Sequence, residues 1–267
     1  MQTRFAEIWG NKIRYLEEGT SERSVLLVHG LGGSAERWLG VIPNLSQKYR
    51  VIAIDLIGFG YSDKPSEDYT VDFFARFLTA FIKKLGLTKV VLVGTSMGGQ
   101  IAAECAGNDP SVERLVLVAP SGAMKSTTKA VEAYMMAALY PNSLSAREAL
   151  EMMTNASPVE ESAVADFVKR MSMPNAKLAF MSSVLGIKNS SIEATLQRIK
   201  VPTLLVWGRQ DKVIPIIHAG AFAGRIKDCT FLPLEGQGHL PHVENPAIFS
   251  KFVLEFLNSR LVVAESP

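Results

Sequence analysis

Short runs of apolar, mostly β-branched residues recur along the first part of the chain and again after residue 200. Such a run is typical of a strand buried on both faces, as in a parallel sheet. Runs of this kind cover 25–29, 51–55, 90–94, 115–119 and 203–208, and 230–234 is a further candidate. Near the start, 5–8 and 12–17 are strand-like and flank Trp9-Gly10-Asn11, which suits a hairpin turn.

Helix-like segments lie between these predicted strands. After Thr70, a suitable N-cap, apolar residues recur at helical spacing from Phe73 to Ile82. Asn245-Pro246 predicts the start of a last helix that runs to about Ser259. This alternation predicts an α/β fold with a mostly parallel sheet that carries helices on both faces.

The alternation stops between residues 121 and 199, which predicts a helical insertion that divides the α/β core into 1–120 and 200–267. Three capping boxes, beginning at Ser145, Ser157 and Ser190, predict helix starts there. Eight of the ten methionines lie in this helical insertion, where they supply adaptable apolar surface. Two interpretations stay open: the methionines line a substrate pocket, or they only pack the inserted helices together.

Composition and charge exclude several classes of protein. With 48% hydrophobic and 20% charged residues, the 267-residue chain is typical of a globular protein, and no apolar run is long enough to span a membrane. A net charge of +2 without a basic block gives no indication of nucleic-acid binding. The start MQTRFAEIWG lacks a signal sequence, so we expect a cytoplasmic protein, one that could form a homodimer, with Cys105 and Cys229 as reduced thiols.

The sequence Gly94-Thr95-Ser96-Met97-Gly98-Gly99 stands between a predicted buried strand and a predicted helix. A G-x-S-x-G at such a junction makes a tight turn that lifts the serine above the sheet. Glycine is needed on both sides of the serine, because a Cβ there would collide with neighbouring backbone. Ser96 is therefore the candidate nucleophile, and the alternative is a serine that only caps the helix.

A second glycine-rich loop, His29-Gly30-Leu31-Gly32-Gly33, directly follows another predicted strand. Backbone N–H groups in such a loop can stabilise the oxyanion that forms during acyl transfer. We expect the donors to be the N–H groups of Leu31 and Met97. A phosphate-binding loop is disfavoured, because the lysine and hydroxyl residue of a P-loop are missing.

A serine hydroxyl needs a neighbouring base, and four histidines are available. His239 is favoured over His242 because it follows the last predicted strand in a glycine-rich loop. His29 fits a role in bracing its own loop, and His218 lies on a helix-like stretch. A metal cluster of His239, His242 and Glu244 is disfavoured because a fourth ligand is missing, so we expect neither metal nor cofactor.

Asp211 is the carboxylate best placed to orient His239, because it too follows a predicted strand. Ser96, Asp211 and His239 occur in one of the known chain orders of the catalytic triad. All three follow strands of a parallel sheet, so they should meet at one edge. Asp55 is out of order and suits a structural role, and Asp228 precedes a strand and should lie at the wrong edge.

The motifs HGLGG, DLIGFGYSDKP, GTSMGG, GRQDKVIP and GQGHLPHVENP, in this order, resemble the α/β-hydrolase fold superfamily, in particular its capped esterase and lipase-like branch. The resemblance implies an eight-stranded sheet, Ser96 as nucleophile, Asp211 as acid, His239 as base, and residues 121–199 as a lid. We therefore expect a serine hydrolase acting on carboxylic esters, and the methionine-rich insertion together with Leu31 favours small-to-medium apolar acyl groups. Gly30, Leu31, Met97 and Leu240 are the residues expected to contact the substrate.

Two other functions remain open. The chain is also similar to carbon–carbon bond hydrolases of aromatic ring-cleavage pathways, and Arg170 could match an arginine in their lids. It departs from them at Thr95, where they tend to have asparagine, and after His239, where they typically have tryptophans. A receptor that uses the same pocket only to bind a small molecule is the second alternative.

Overall fold

The computed structural model describes residues 1–155 and 158–258, and its strands form one eight-stranded sheet. The strands are β1 (Gln2–Ile8), β2 (Asn11–Glu18), β3 (Ser24–Val28), β4 (Arg50–Ile54), β5 (Val90–Thr95), β6 (Val112–Val118), β7 (Thr203–Gly208) and β8 (Cys229–Leu234). Each lies within a few residues of a predicted strand. The continuous apolar runs were therefore a sound basis for the α/β prediction.

The sheet has the strand order β1-β2-β4-β3-β5-β6-β7-β8. β2 is antiparallel to both of its neighbours, and β1 and β2 form the predicted hairpin. All pairings from β4 to β8 are parallel. The mostly parallel, eight-stranded sheet is thus confirmed, and the carboxyl ends of β3, β5, β7 and β8 share one edge.

Helices cover both faces of the sheet. They are α1 (Ile42–Leu45), α2 (Val71–Lys84), α3 (Met97–Ala106), α4 (Lys129–Leu139), α5 (Ser143–Met153), α6 (Glu161–Met171), α7 (Ala176–Lys188), α8 (Glu193–Arg198), α9 (Ala219–Ala223), α10 (Pro241–Glu244) and α11 (Pro246–Leu257). Short 3-10 helices occupy Ala35–Trp38 and Ile216–His218. Helices α4 to α8 follow one another between β6 and β7, where the sequence predicts the helical insertion.

Side chains of the central strands alternate between two buried cores. In β5, for example, Val91 and Val93 pack with Phe249 of α11, whereas Val90 and Leu92 pack on the opposite face with Phe77 of α2. Strands buried on both faces need no polar positions, which explains their continuous apolar sequence. This rigid sheet fixes the loops at its carboxyl edge.

Helix starts were predicted with mixed success. Thr70 caps α2 by accepting the N–H of Phe73 at 3.1 Å, and Asn245 caps α11. The capping box at Ser145 is wrong, because Asn142 caps α5 three residues earlier. The capping box predicted at Ser190 is also wrong, because the Ser190 hydroxyl donates to Ile187 O and does not cap α8. The box at Ser157 lies outside the described residues.

Within the described part of the chain, no helix has the length and apolar character needed to cross a bilayer.

Candidate active site

Ser96 occupies a sharp turn between β5 and α3. Its φ of 54° and ψ of −123° are unfavourable for a residue with a Cβ, as in the strained turn of a nucleophile elbow. Its N–H donates to Val118 O at 2.9 Å, and its carbonyl accepts three N–H groups, including that of Ser121. These bonds hold the strained backbone, while the Ser96 side chain lines a cavity above the sheet.

The glycines on either side of Ser96 are required by close backbone packing. A Cβ on Gly94 would lie 2.2 Å from Gly98 O, and a Cβ on Gly98 would lie 2.3 Å from His29 O. Real Cβ atoms essentially never come this close to backbone atoms. The steric reason for glycine that the sequence predicts is therefore present. Gly30 serves a similar purpose, because a Cβ there would lie 3.0 Å from the Ser96 Cβ.

His239 and Asp211 form a hydrogen-bonded pair at the same edge. His239 Nδ1 lies 2.8 Å from Asp211 Oδ2, and both side chains are fully buried. The other carboxylate oxygen, Oδ1, accepts the N–H groups of Val213 and Ile214 at 2.8 and 2.9 Å. Asp211 thus has a fixed orientation and favours the tautomer of His239 that carries its proton on Nδ1.

Nε2 of His239 is left as a buried ring nitrogen with no hydrogen-bond partner in the described part of the chain. His239 and Ser96 line the same cavity. An unpaired acceptor nitrogen in the cavity that holds the serine hydroxyl is what a candidate general base requires. The residues that the sequence predicts as a triad therefore come together in space.

Glu244 is a residue whose importance the sequence analysis missed. Its carboxylate accepts the N–H of Gly238 at 2.9 Å and that of Leu240 at 3.3 Å, on either side of His239. It also accepts the N–H of Asn155, just after α5, at 2.8 Å. One carboxylate thereby joins the loop that carries His239 to the helical insertion. His239 N, which donates to Met153 O at 2.8 Å, adds a second bond between them.

The loop after β3 is braced by His29, as expected. Nδ1 of His29 lies 2.7 Å from Gly30 O, and Nε2 accepts the N–H of Leu56 at 3.0 Å. Burial lowers the pKa of His29 to about 4, so the ring stays neutral at physiological pH. The N–H groups of Leu31 and Met97 have no acceptor within residues 1–155 and 158–258, which leaves both available to an oxyanion.

Two residues of the helical insertion also hold this loop. Tyr134 of α4 donates its hydroxyl hydrogen to Leu31 O at 2.9 Å. Arg170 of α6 is buried and donates to Gly32 O at 2.7 Å and Gly33 O at 3.2 Å. Arg170 also pairs with Asp166 at 2.7 Å. Arg170 is committed to the loop and does not line the cavity, so it does not take the position of a substrate-binding lid arginine.

The cavity beside Ser96 and His239 has a volume of about 140 Å³. Gly30, Leu31, Met97 and Leu240, the predicted substrate contacts, all line it. So do three methionines of the helical insertion, whereas Met171 is buried in the core with other residues of the inserted helices and Met136 is exposed. The lining methionines are Met124, Met135 and Met153. Both interpretations of the methionines are thus partly right.

The remaining candidates have structural roles. Asp55 accepts the N–H groups of Ala35 and Tyr61 and pairs with Arg14. His242 is buried and stacks on Trp38 with ring centroids 4.1 Å apart. Among residues 1–155 and 158–258, no group of three or more His, Cys, Asp or Glu side chains has the arrangement of a metal site. Cys105 and Cys229 are free thiols, as predicted.

A parallel sheet with a serine elbow, a buried histidine–aspartate pair and a glycine-rich loop at one edge defines the class of α/β hydrolases. The chain belongs to the alpha/beta hydrolase fold family, whose sequence model matches residues 23–246. The resemblance inferred from the motifs is therefore confirmed.

Its relatives include enzymes of two kinds. The chain is 32% identical, over 96% of its length and 91% of the relative's, to 2-hydroxy-6-oxo-6-(2'-aminophenyl)hexa-2,4-dienoic acid hydrolase of Metapseudomonas resinovorans. It is 28% identical to human monoacylglycerol lipase ABHD6, covering 88% of this chain and 75% of the lipase. The crystal structure of a serine hydrolase involved in carbazole degradation, CarC, superposes with a TM-score of 0.85 at 29% identity, covering 97% and 99% of the two chains.

Proposed function

We propose that this protein is a serine hydrolase that cleaves carboxylic esters with small-to-medium apolar acyl groups. The observation that carries the proposal is the fully buried His239, bonded to Asp211 through Nδ1 and with an unpaired Nε2 in the cavity that Ser96 lines. The largely apolar lining, which includes Leu31 and Leu240, suits an apolar acyl chain. The similarity to a monoacylglycerol lipase supports the same reaction class.

The chemistry follows from these positions. His239 Nε2 takes the proton of Ser96 while Oγ attacks the ester carbonyl carbon, and the negative charge that develops on the carbonyl oxygen is met by the N–H groups of Leu31 and Met97. The carbon–oxygen bond then breaks, the alcohol leaves with the proton from His239, and Ser96 holds the acyl group. Water, deprotonated by His239, releases the acid in the same way. Asp211 stabilises the imidazolium in both steps.

Residues 121–199 act as a cap in this proposal. Helices α4 and α5 supply lining residues such as Met135 and Met153. Helix α6 holds the glycine-rich loop 29–33, called the oxyanion loop below, through Arg170. A cap excludes water from the acyl-enzyme until the alcohol has left. The core then comprises 1–120 and 200–267.

A panel of 4-nitrophenyl esters with acyl chains from acetyl to decanoyl tests the proposal. We expect the wild-type protein to hydrolyse the short and medium esters, and the Ser96→Ala variant to lose at least three orders of magnitude in kcat. Equal release of nitrophenol by the two proteins would refute Ser96 as nucleophile. Binding of esters without turnover would instead favour a receptor.

Carbon–carbon bond hydrolysis is the second candidate, favoured by the 32% identity to a dienoic acid hydrolase. Thr95 lines the cavity and its buried hydroxyl has no partner in the described ranges. Such a hydroxyl could contact a polar group of either substrate. Decay of the visible absorbance of a 2-hydroxy-6-oxo-hexadienoate, at a rate that exceeds ester hydrolysis, would favour this reaction over the first.

A further inference from the structure

Arg37 is the exception in an otherwise uncharged cavity. Apart from the candidate base His239, the lining residues are apolar, small or hydroxyl-bearing, and Arg37 alone carries a permanent charge. It lies on the 3-10 helix Ala35–Trp38, which follows the oxyanion loop. Arg37 also lines an outer cavity of about 440 Å³, so it forms part of the wall between the two. A guanidinium at this position can meet a substrate bound at Ser96.

The positive charge of Arg37 is not balanced by an ion pair with any of the residues 1–155 and 158–258. The two neighbouring carboxylates are already occupied: Glu36 pairs with Arg14 at 2.6 Å, and Asp166 pairs with Arg170 at 2.7 Å. Asp166 also accepts the Tyr61 hydroxyl at 2.6 Å. A cation in apolar surroundings is costly unless a counterion reaches it.

Burial and neighbouring charges both affect the pKa of Arg37. Burial is the largest effect on Arg37 and lowers its pKa below the ordinary arginine value. Tyr134 and Asp166 favour the charged form, whereas the positive charge of Arg170 disfavours it. Arginine stays protonated all the same, so the cavity holds a cation that has no ion-pair partner among the described residues. An incoming anion could form the direct ion pair with Arg37 that these neighbours do not.

A purely structural role for Arg37 is less well supported, because Arg170 already performs it. Arg170 makes the bonds to Gly32 O and Gly33 O that tie the helical insertion to the oxyanion loop. It borders the outer cavity but not the cavity of Ser96. The two arginines thus differ in their contacts: Arg170 is bonded to the backbone of the oxyanion loop, whereas Arg37 is hydrogen-bonded to the neutral Tyr134 hydroxyl and lines the substrate cavity.

We propose that the substrates of this enzyme carry a carboxylate on an otherwise apolar chain, and that Arg37 binds this carboxylate while Ser96 attacks the ester. The inference rests on the proposed ester hydrolysis and narrows its substrate class. A guanidinium matches the two oxygens of a carboxylate through parallel N–H···O bonds, and binding in a largely apolar cavity strengthens such a pair. Arg37 is then a specificity-determining residue.

The turnover test compares charged and neutral esters of matched size. Mono(4-nitrophenyl) adipate and its methyl ester differ only in the charge at the far end of the acyl chain. A second pair, 4-carboxyphenyl butyrate and its methyl ester, carries the charge on the leaving group. Hydrolysis by the Ser96→Ala variant is subtracted in every case, which removes spontaneous release. The readout is the ratio of kcat/KM for the acid to that for its methyl ester.

We expect Arg37→Met to lower this ratio about ten- to hundredfold for at least one of the two pairs, chiefly through KM for the acid. Arg37→Lys, which keeps the charge and loses the paired donors, should give an intermediate ratio. Arg76→Met is the matched control, since Arg76 is an exposed arginine of α2 paired with Asp72. That variant should keep the wild-type ratio.

A binding measurement separates failure of this inference from failure of the proposed function. Titration calorimetry on Ser96→Ala compares monomethyl adipate with dimethyl adipate, and then repeats both with Ser96→Ala/Arg37→Met. Preference for the acid that disappears with Arg37 supports the inference even if no ester is turned over. If esters are hydrolysed through Ser96 but neither the kinetic ratio nor the binding preference depends on Arg37, the inference is overturned and ester hydrolysis stands.

Discussion

Glu244→Gln tests how the loop that carries His239 is held in place. The Glu244 carboxylate accepts the N–H groups of Gly238, Leu240 and Asn155. Glutamine has nearly the same shape but offers one acceptor oxygen and an NH2 group. Because all three partners are donors, the NH2 group must face at least one of them. The loop then loses its charged acceptor and one N–H is left without a partner.

The expected magnitude follows from this change. Hydrogen bonds to a charged acceptor contribute about 1.5–3 kcal/mol each, and a buried donor left unpaired costs about 1–3 kcal/mol. Because glutamine keeps part of the bonding, we expect the free energy of unfolding to fall by about 2–3 kcal/mol. A displacement of His239 by a fraction of an ångström should also lower kcat about ten- to hundredfold.

Urea unfolding and ester kinetics of the same protein preparations provide the measurement. Glu235→Gln is the matched control, because Glu235 lies on the neighbouring stretch, is exposed and pairs with the exposed Arg209. We expect less than about 0.5 kcal/mol of change there. If Glu244→Gln matched the wild type in both unfolding and kcat, the carboxylate would not position His239 and the reasoning would be refuted.

Three further predictions follow from buried groups and close backbone contacts. Folding lowers the pKa of His29 from about 6.5 to about 4, so acid destabilises the fold as the pH falls from 6.5 towards 4. Urea unfolding should show that the wild type loses about 2 kcal/mol of stability between neutral pH and pH 5 beyond what His29→Gln loses. Equal losses in the two proteins would contradict this. Gly98→Ala, with its Cβ 2.3 Å from His29 O, should lower the melting temperature by several degrees in a thermal scan, whereas Gly220→Ala, in open space, should not. Burial raises the pKa of the Cys105 thiol to about 12 and that of the Cys229 thiol to about 11, so few reactive thiolates form at pH 8. The native protein should therefore not react with a disulfide reagent that labels the urea-unfolded chain. Rapid labelling before unfolding would count against this.

Much of the fold could be predicted because the central strands are buried on both faces. Their apolar runs are continuous, and glycine-rich turns mark the carboxyl ends at Gly94 and Gly208. Both glycines are fixed by close backbone contacts, since a Cβ on Gly208 would lie 2.1 Å from Gly238 O. At these points the local sequence and the tertiary packing require the same residues, so the strands and the turns that follow them could be predicted from the sequence.

The helical insertion was harder to predict because tertiary contacts compete for its polar side chains. Ser190 has the spacing of a helix cap, but its hydroxyl accepts from Gln100 of α3 and donates to Ile187 O. Asn142, a residue equally suited to capping, takes the position at α5 instead. Sequence spacing cannot decide between such partners, since the competitor lies far away along the chain.

The residues around the candidate site were missed for the same reason. Arg37 and Tyr134 belong to no motif, and the motif that contains Glu244 does not specify its role, because their contacts are with residues that only the tertiary structure brings near. The triad candidates, in contrast, stand directly after strands, where a parallel sheet brings distant segments together. Position after a strand was the informative signal.

The bonds between the helical insertion and the loops beneath it have a consequence for substrate entry. Moving α6 outward would take Arg170 from Gly32 O, and moving the end of α5 would take Met153 O from the backbone of His239. If the helical insertion moves outward to admit substrate, as the proposed cap would, the same movement would therefore remove bonds that hold the oxyanion loop and His239. Under the proposed function, the reactive groups would regain these supports only when the cap has returned to the position seen here.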